Sequence, residues 1–109
     1  MWSNYLLILK IYPSKINGVL SVPQSKSYTH RAIILASISE GTSFINNPLI
    51  SEDTQSTVKI CELLGSQIKN HESSLEITGS SVLKSPSQIL DVNNSGTTLR
   101  LITGIASLI

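Results

Sequence analysis

The sequence predicts a mixed α/β (α+β) chain built on a β-α-β-α-β-β unit. Two kinds of segment support this: short apolar runs that end at proline or glycine turn signals, and longer runs with apolar residues at helical spacing. The 109 residues allow one domain at most, and the 40% hydrophobic and 14% charged content is not that of a disordered chain.

Two strands are predicted first, Tyr5 to Tyr12 and Gly18 to Val22, each ended by a proline. The turn signal Asn17-Gly18 separates them. The apolar run at residues 6–9 is too short to cross a bilayer, and Lys10 follows it with no small-residue cleavage site. A strand is therefore the preferred interpretation of this run over a signal peptide.

A helix is predicted from Ser25 to about Ser39. Serine is a favourable N-cap, and Gly41 is a suitable C-terminal stop. Beyond Arg31 the segment is apolar nearly all round, which is typical of a helix buried by its neighbours. We therefore expect a buried helix body with a polar N-terminal end.

The rest of the unit alternates between strands and helices. A strand at Ser43 to Asn46 precedes a helix at Asp53 to Leu64, whose apolar stripe includes Cys61. Further segments follow in order: strands Gln67 to Lys69 and Leu75 to Thr78, a loop at Ser80 to Ser87, a strand at Ile89 to Val92, and a helix from near Ser95 that is still running at Ile109.

This order divides the chain into residues 1–16, a first unit at 17–88, and the start of another unit at 89–109. Leu99 to Ile109 is apolar, with no capping residue and no polar tail. We expect the chain to be truncated from a longer protein. The alternative is a helix that docks and ends flush.

Composition limits the kinds of partner and site. Eight basic and seven acidic residues give a net charge of +1, without the basic stripe that binds nucleic acid. One cysteine, Cys61, allows no internal disulfide and fits a reducing cytoplasm. His30 and His71 have no metal-ligand spacing with each other or with Cys61, so we expect no metal site.

The first polar junction, Ser25 to Arg31, combines a helix start with two cations and several hydroxyls. Free N–H groups and the positive dipole end attract anions, and Lys26 is unfavourable there unless an anion offsets it. Ser27 and Arg31 lie four residues apart, so they share a face. A solvated helix start with incidental charges remains the alternative. His30 is a general base, a phosphate donor or a surface residue.

The second polar junction runs from Asn93 to Arg100. Gly96 lets backbone N–H groups approach a ligand closely, and Asn94 and Thr97 add neutral hydrogen-bonding groups. An ordinary capped helix start is equally compatible with it. A third helix start, Ser51 to Thr54, is acidic, and we interpret it as simple capping.

Together these segments resemble the 5-enolpyruvylshikimate-3-phosphate synthase family from about residue 17 to the end of the chain. The matching motifs are Val22 to Ala32, Gly41 to Ser43, Ser51 to Thr54, Leu63 to Gly65 and Asn94 to Arg100. The family has an inside-out α/β barrel fold with two domains, each of three β-α-β-α-β-β units. The resemblance implies that the strand in residues 1–16 belongs to the other domain.

The resemblance also implies an activity. The family transfers the enolpyruvyl group of phosphoenolpyruvate to the 5-hydroxyl of shikimate 3-phosphate and releases phosphate, on the route to chorismate and aromatic amino acids. It uses no metal or organic cofactor. We accordingly expect a cytoplasmic, monomeric parent enzyme with these two small-molecule substrates and neither a nucleic-acid nor a membrane partner. The 109-residue chain alone is expected to be inactive.

The site residues that the resemblance implies belong to two substrates. They are Lys26, Ser27 and Arg31 for shikimate 3-phosphate; Lys26, Asn94 and Gly96 for phosphoenolpyruvate; and, less directly, Thr97 and Arg100. Lys26 matches a lysine that contacts both substrates and is the implied catalytic residue. Tyr28 and Leu101 depart from the usual motifs, and Leu101 bears on inhibitor sensitivity but not on the reaction.

Two other functions remain open. One is the sister transferase acting on UDP-N-acetylglucosamine, in which asparagine typically follows the early lysine. Ser27 and Arg31 favour the shikimate enzyme. The other is a non-catalytic anion-binding or structural module.

Overall fold

The computed structural model of the chain describes residues 8–109. Within these residues, three helices and three strands follow one another in the order α1 Lys26–Ile38, β1 Gly41–Asn46, α2 Glu52–Leu63, β2 Gln67–Asn70, β3 Ser74–Gly79 and α3 Gly96–Ala106. The strands form one antiparallel sheet in the order β1-β3-β2. Helix α1 packs on this sheet and on α2, and α3 packs on both other helices. The chain is thus a small α+β unit, as predicted.

The core lies between the central strand and the helices. In β3, Leu75 and Ile77 alternate with more exposed residues, so the buried side chains point to one face of the sheet. They join Ile33 of α1 and Ile60 of α2, both almost fully buried. The sheet and the helices therefore share a single apolar core.

Each helix begins at a serine cap. The Oγ atoms of Ser25, Ser51 and Ser95 accept hydrogen bonds from backbone N–H groups in the first turns of α1, α2 and α3. These caps confirm the three predicted helix starts. Gly65, with φ of 114°, ends the α2 region in a conformation that favours glycine.

Three predicted strands are wrong where the structure describes them. Ile8 to Tyr12, Gly18 to Val22 and Ile89 to Val92 make no strand pairing, while residues 5–7 of the first lie outside the described range. Their apolar patterns are real, but a strand needs a neighbour to pair with. Within residues 8–109 none lies beside them, and Val19 is fully exposed.

Two helix predictions also need correction. Helix α3 ends at Ala106 and does not run to Ile109, because the N–H groups of Leu108 and Ile109 bond to the carbonyls three residues earlier and not four. The body of α1 is not buried on every side, since Leu35 is 61% exposed.

Gly79 ends β3 directly against the C-terminal end of α1. A Cβ atom there would overlap the carbonyl oxygens of Ala36, Ser37 and Ser39, all of them backbone atoms that cannot rotate away. We predict that Gly79→Ala lowers the free energy of unfolding by roughly 2–3 kcal/mol, measured by urea denaturation.

The matched control is Gly104→Ala, in which the new Cβ meets no atom within 4 Å on α3. Alanine is the better helix former, so this change should stabilise the chain by up to about 1 kcal/mol. Equal effects of the two substitutions would contradict the close approach at Gly79.

Candidate functional site

The N-terminal ends of all three helices meet at Asp53, in the first turn of α2. Lys26, the first residue of α1, donates from Nζ to Asp53 Oδ2 at 2.8 Å. Thr98, in the first turn of α3, donates from Oγ1 to the Asp53 main-chain oxygen at 3.3 Å. Each helix start contributes a positive dipole end, so their convergence creates a region suited to anions.

The cations of the first junction lie on the exposed side of α1. Arg31 Nη1 donates to the Oγ of Ser27 one turn earlier, so the predicted shared face is confirmed. The Lys26 side chain is 49% exposed and its partner Asp53 31%. Such an exposed ion pair is weak, so an anion of higher charge can compete for the ammonium group.

The second junction is held in place by Asn93. Its φ of 49° is in the left-handed region, where asparagine is tolerated. Its Nδ2 donates to Ser56 Oγ of α2 at 2.8 Å, and its N–H donates to Asp91 Oδ1 at 2.7 Å. The next residue, Asn94, and Gly96 at the start of α3 are both exposed.

Gly96 leaves open space at the start of α3. A Cβ atom built on it meets no protein atom within 4 Å, and its φ is not in the left-handed region. Packing and backbone strain therefore do not require glycine here. Of the two less direct candidates, Thr97 is half-buried and Arg100 exposed.

His30 lies beneath this surface and is 0% exposed, so the surface alternative is wrong. Its Nδ1 is 2.8 Å from Thr57 Oγ1, which is 2.8 Å from Thr98 Oγ1. Burial lowers the pKa of His30; the Asp53 carboxylate opposes this shift, and Lys26 adds to it. His30 is therefore a buried, neutral neighbour of the site without direct access to a ligand.

Three residues of this region could not be identified from sequence. The acidic helix start at Ser51 to Thr54 does form a capping box, but Asp53 also pairs with Lys26, 27 residues away. Thr57 belongs to no motif, and Thr98 lies inside the second polar junction but had no predicted role. The one available signal was that Thr57 and Thr98 fall on the inward faces of their helices.

The remaining titratable candidates lie elsewhere. His71 Nε2 is 2.9 Å from Glu76 Oε2 on the β2–β3 hairpin, and this hydrogen bond is the main cause of a lowered Glu76 pKa. Cys61 is a core residue, as predicted, and burial raises the pKa of its thiol.

Residues 8–109 contain no group of three or more His, Cys, Asp or Glu side chains placed to hold a metal ion. Over the same range, no helix combines the length and apolar character needed to cross a membrane.

Comparison with known proteins agrees with this architecture. A model of the family EPSP synthase (3-phosphoshikimate 1-carboxyvinyltransferase) matches residues 11–109. The 3-phosphoshikimate 1-carboxyvinyltransferase of Methanococcus maripaludis is 49% identical over 102 residues, which are 94% of this chain and 23% of that protein. The protein of the same name from Chlamydia caviae is 47% identical over 104 residues, with the same shares covered.

A solved structure of EPSP synthase from Acinetobacter baumannii aligns with a TM-score of 0.74 and 34% identity, covering 81% of this chain and 21% of that one. The chain thus spans about a quarter of the length of the relatives that it matches. Because the family match extends over nearly all residues, the resemblance predicted from the motifs is confirmed: the chain belongs to the EPSP synthase family.

Proposed function

We propose that this chain supplies part of the substrate site of a 3-phosphoshikimate 1-carboxyvinyltransferase. The reaction joins the enolpyruvyl carbon of phosphoenolpyruvate to the 5-hydroxyl oxygen of shikimate 3-phosphate. The carbon–oxygen bond to phosphate breaks, the hydroxyl gives up its proton, and inorganic phosphate leaves with one proton gained. The proposal includes a cytoplasmic location, and it assigns residues 17–88 and 89–109 to successive units of the fold.

The observation that carries the proposal is the convergence of three helix N-termini beside Lys26 and Arg31. Both substrates carry a phosphate and a carboxylate. Binding two such anions side by side requires fixed positive charge and free N–H donors. The three helix starts and the two cations supply both.

We assign the shikimate 3-phosphate subsite to the start of α1. Ser27 and Arg31 already share a hydrogen bond on one exposed face, so a hydroxyl and a guanidinium are held together for one phosphate. The guanidinium presents several donors in a fixed plane, which suits a phosphate better than a single-point donor does. Lys26 contacts the same substrate from the first residue of the helix.

We assign the phosphoenolpyruvate subsite to the start of α3. Asn94 offers a neutral amide, and Gly96 leaves the backbone open to a ligand. Thr97 and Arg100 belong to the edge of this subsite. Lys26 lies between the two subsites because Asp53, which binds its ammonium group, also accepts a hydrogen bond from α3.

Lys26 is the proposed catalytic residue of this chain. Negative charge builds up on the phosphate as its bond to carbon breaks. An ammonium group placed beforehand stabilises that charge without reorganising solvent. Asp53 holds Lys26 in the free protein, and the incoming anions take over the ammonium group when they bind.

The function is tested in a chimera in which residues 11–109 replace the matching segment of the Methanococcus maripaludis relative. The chimera should release phosphate from shikimate 3-phosphate and phosphoenolpyruvate, and the 109-residue chain alone should not. We predict that Arg31→Ala raises the Kd of the chimera for shikimate 3-phosphate roughly 10- to 100-fold, measured by calorimetry, because charged hydrogen bonds to the phosphate are lost.

The matched control is Lys59→Ala, which removes an exposed cation from α2 about two turns beyond its start. It should leave the affinity within about twofold, since an exposed charge beyond a Debye length is largely screened. Unchanged binding by Arg31→Ala, or equal losses in both variants, would contradict the assigned subsite.

A second prediction separates the two subsites. In the chimera, Gly96→Ala should raise the KM for phosphoenolpyruvate roughly tenfold or more, because the new methyl group occupies ligand space. The KM for shikimate 3-phosphate should stay within about twofold, and the free energy of unfolding within about 0.5 kcal/mol. An equal rise in both KM values would show that the subsites are not divided in this way.

A further inference from the structure

His30 is a buried titratable residue that the proposed chemistry does not use. It begins a run of polar side chains that crosses all three helices, from His30 on α1 through Thr57 on α2 to Thr98 on α3. Ser95 Oγ, 2.6 Å from Thr98 Oγ1, completes the run at the cap of α3. All four side chains are almost fully buried.

The available protons give this run a direction. The main-chain oxygen of Asp53 can only accept, so the Thr98 hydroxyl donates to it. Thr98 Oγ1 is then free to accept from Thr57 and from Ser95. Because Thr57 donates to Thr98, the remaining bond requires His30 to donate from Nδ1.

The same direction follows from the other ring nitrogen. Nε2 of His30 is buried and has no hydrogen-bond partner among residues 8–109. With the proton on Nδ1, Nε2 is a bare acceptor. The opposite tautomer would bury an unpaired N–H group, which is a costly arrangement. Both considerations place the proton on Nδ1.

The α3 end of the run, at Ser95, lies beside the proposed phosphoenolpyruvate contacts. Ser95 lies between Asn94 and Gly96, and its Oγ accepts the Thr98 N–H that begins α3. Loss of the donor at His30 would remove one hydrogen bond from the Thr57 hydroxyl oxygen. It would also weaken the hydrogen bond from Thr57 to Thr98. The start of α3 would then be less firmly attached to the rest of the site.

We propose that His30 is a positioning residue that fixes the start of α3 through a directed run of hydrogen bonds from its Nδ1–H through Thr57 and Thr98 to the carbonyl of Asp53. It acts through these residues and not by touching a substrate. The effect of His30 on phosphoenolpyruvate binding rests on the proposed function, whereas its effect on the start of α3 does not.

The test measures amide hydrogen exchange in the complete 109-residue chain. His30→Leu should speed exchange of the Thr98 and Leu99 amides roughly tenfold relative to the Ile77 amide in the central strand. His30→Asn, whose amide nitrogen reaches about as far as Nδ1, should restore these rates to within about twofold of wild type.

Ile33→Ala is the control for a general loss of stability, because it removes core contacts one turn further along α1. That variant should speed exchange at Thr98, Leu99 and Ile77 alike. The proposal is overturned if His30→Leu does the same, if His30→Asn fails to rescue, or if the ¹⁵N shifts of the His30 ring in wild type place the proton on Nε2.

The ligand consequence is tested separately in the chimera. His30→Leu should raise the KM for phosphoenolpyruvate more than that for shikimate 3-phosphate, and His30→Asn should not. If Arg31→Ala and Gly96→Ala leave both substrates unaffected while the exchange result holds, the proposed function fails and the positioning role stands. If only the exchange result fails, the positioning role is wrong and the proposed function stands.

The titration of His30 gives a further prediction. Asp53 on α2 raises its pKa and Lys26 on α1 lowers it, while the one charged residue of α3, Arg100, is exposed. Burial outweighs these, so the folded pKa lies below the ordinary 6.5. Just below pH 6.5 the unfolded state therefore binds more protons, and stability is lost as the pH falls.

Urea denaturation of the 109-residue chain from pH 7 to 5 should show this loss. His30→Asn should reduce the slope of the free energy of unfolding against pH. Wild type and His30→Asn carry the same carboxylates, so these groups do not contribute to a difference between the two slopes. The pKa of Glu76 is also lowered from its ordinary 4.5. Identical slopes would contradict a neutral, buried His30.

Discussion

Three helices that begin at the same place bring three positive dipole ends together, and this is the constraint that the rest of the site depends on. The structure offsets it in two ways. The carboxylate of Asp53 lies among the helix starts and binds Lys26. The main-chain oxygen of Asp53 accepts a hydrogen bond from Thr98. Buried side chains of His30, Thr57 and Thr98 join the helices below the surface. What remains positive faces outward, on the surface where we propose that the two substrates bind.

The sheet allows this arrangement by fixing α1 at its other end. Gly79 passes so close to the last turn of α1 that only glycine fits, and Ser80 donates its N–H to the Ser37 carbonyl at 3.0 Å. The apolar core between Ile33 and Ile77 lies between this contact and the site. The helix is therefore anchored at its C-terminal end by the sheet and at its N-terminal end by polar contacts to α2, which in turn bonds to α3.

Local features were predictable from sequence, and pairings between distant residues were not. The caps at Ser25, Ser51 and Ser95 depend on three or four neighbouring residues, and all were predicted. The strand predicted at Gly18 to Val22 fails because an apolar pattern does not specify a partner strand. His30 and Thr57 are 27 residues apart, so no local pattern indicated their contact. The assigned substrate contacts remain predictions.

The central claim is that the converging helix starts form an anion site, and NMR titration of the ¹⁵N-labelled 109-residue chain with shikimate 3-phosphate tests it most directly. We predict saturable shift changes centred on the amides at the start of α1, weakened by added salt and lost in Lys26→Ala. Shift changes centred on the β2–β3 hairpin near His71, or unaffected by Lys26→Ala, would contradict the account.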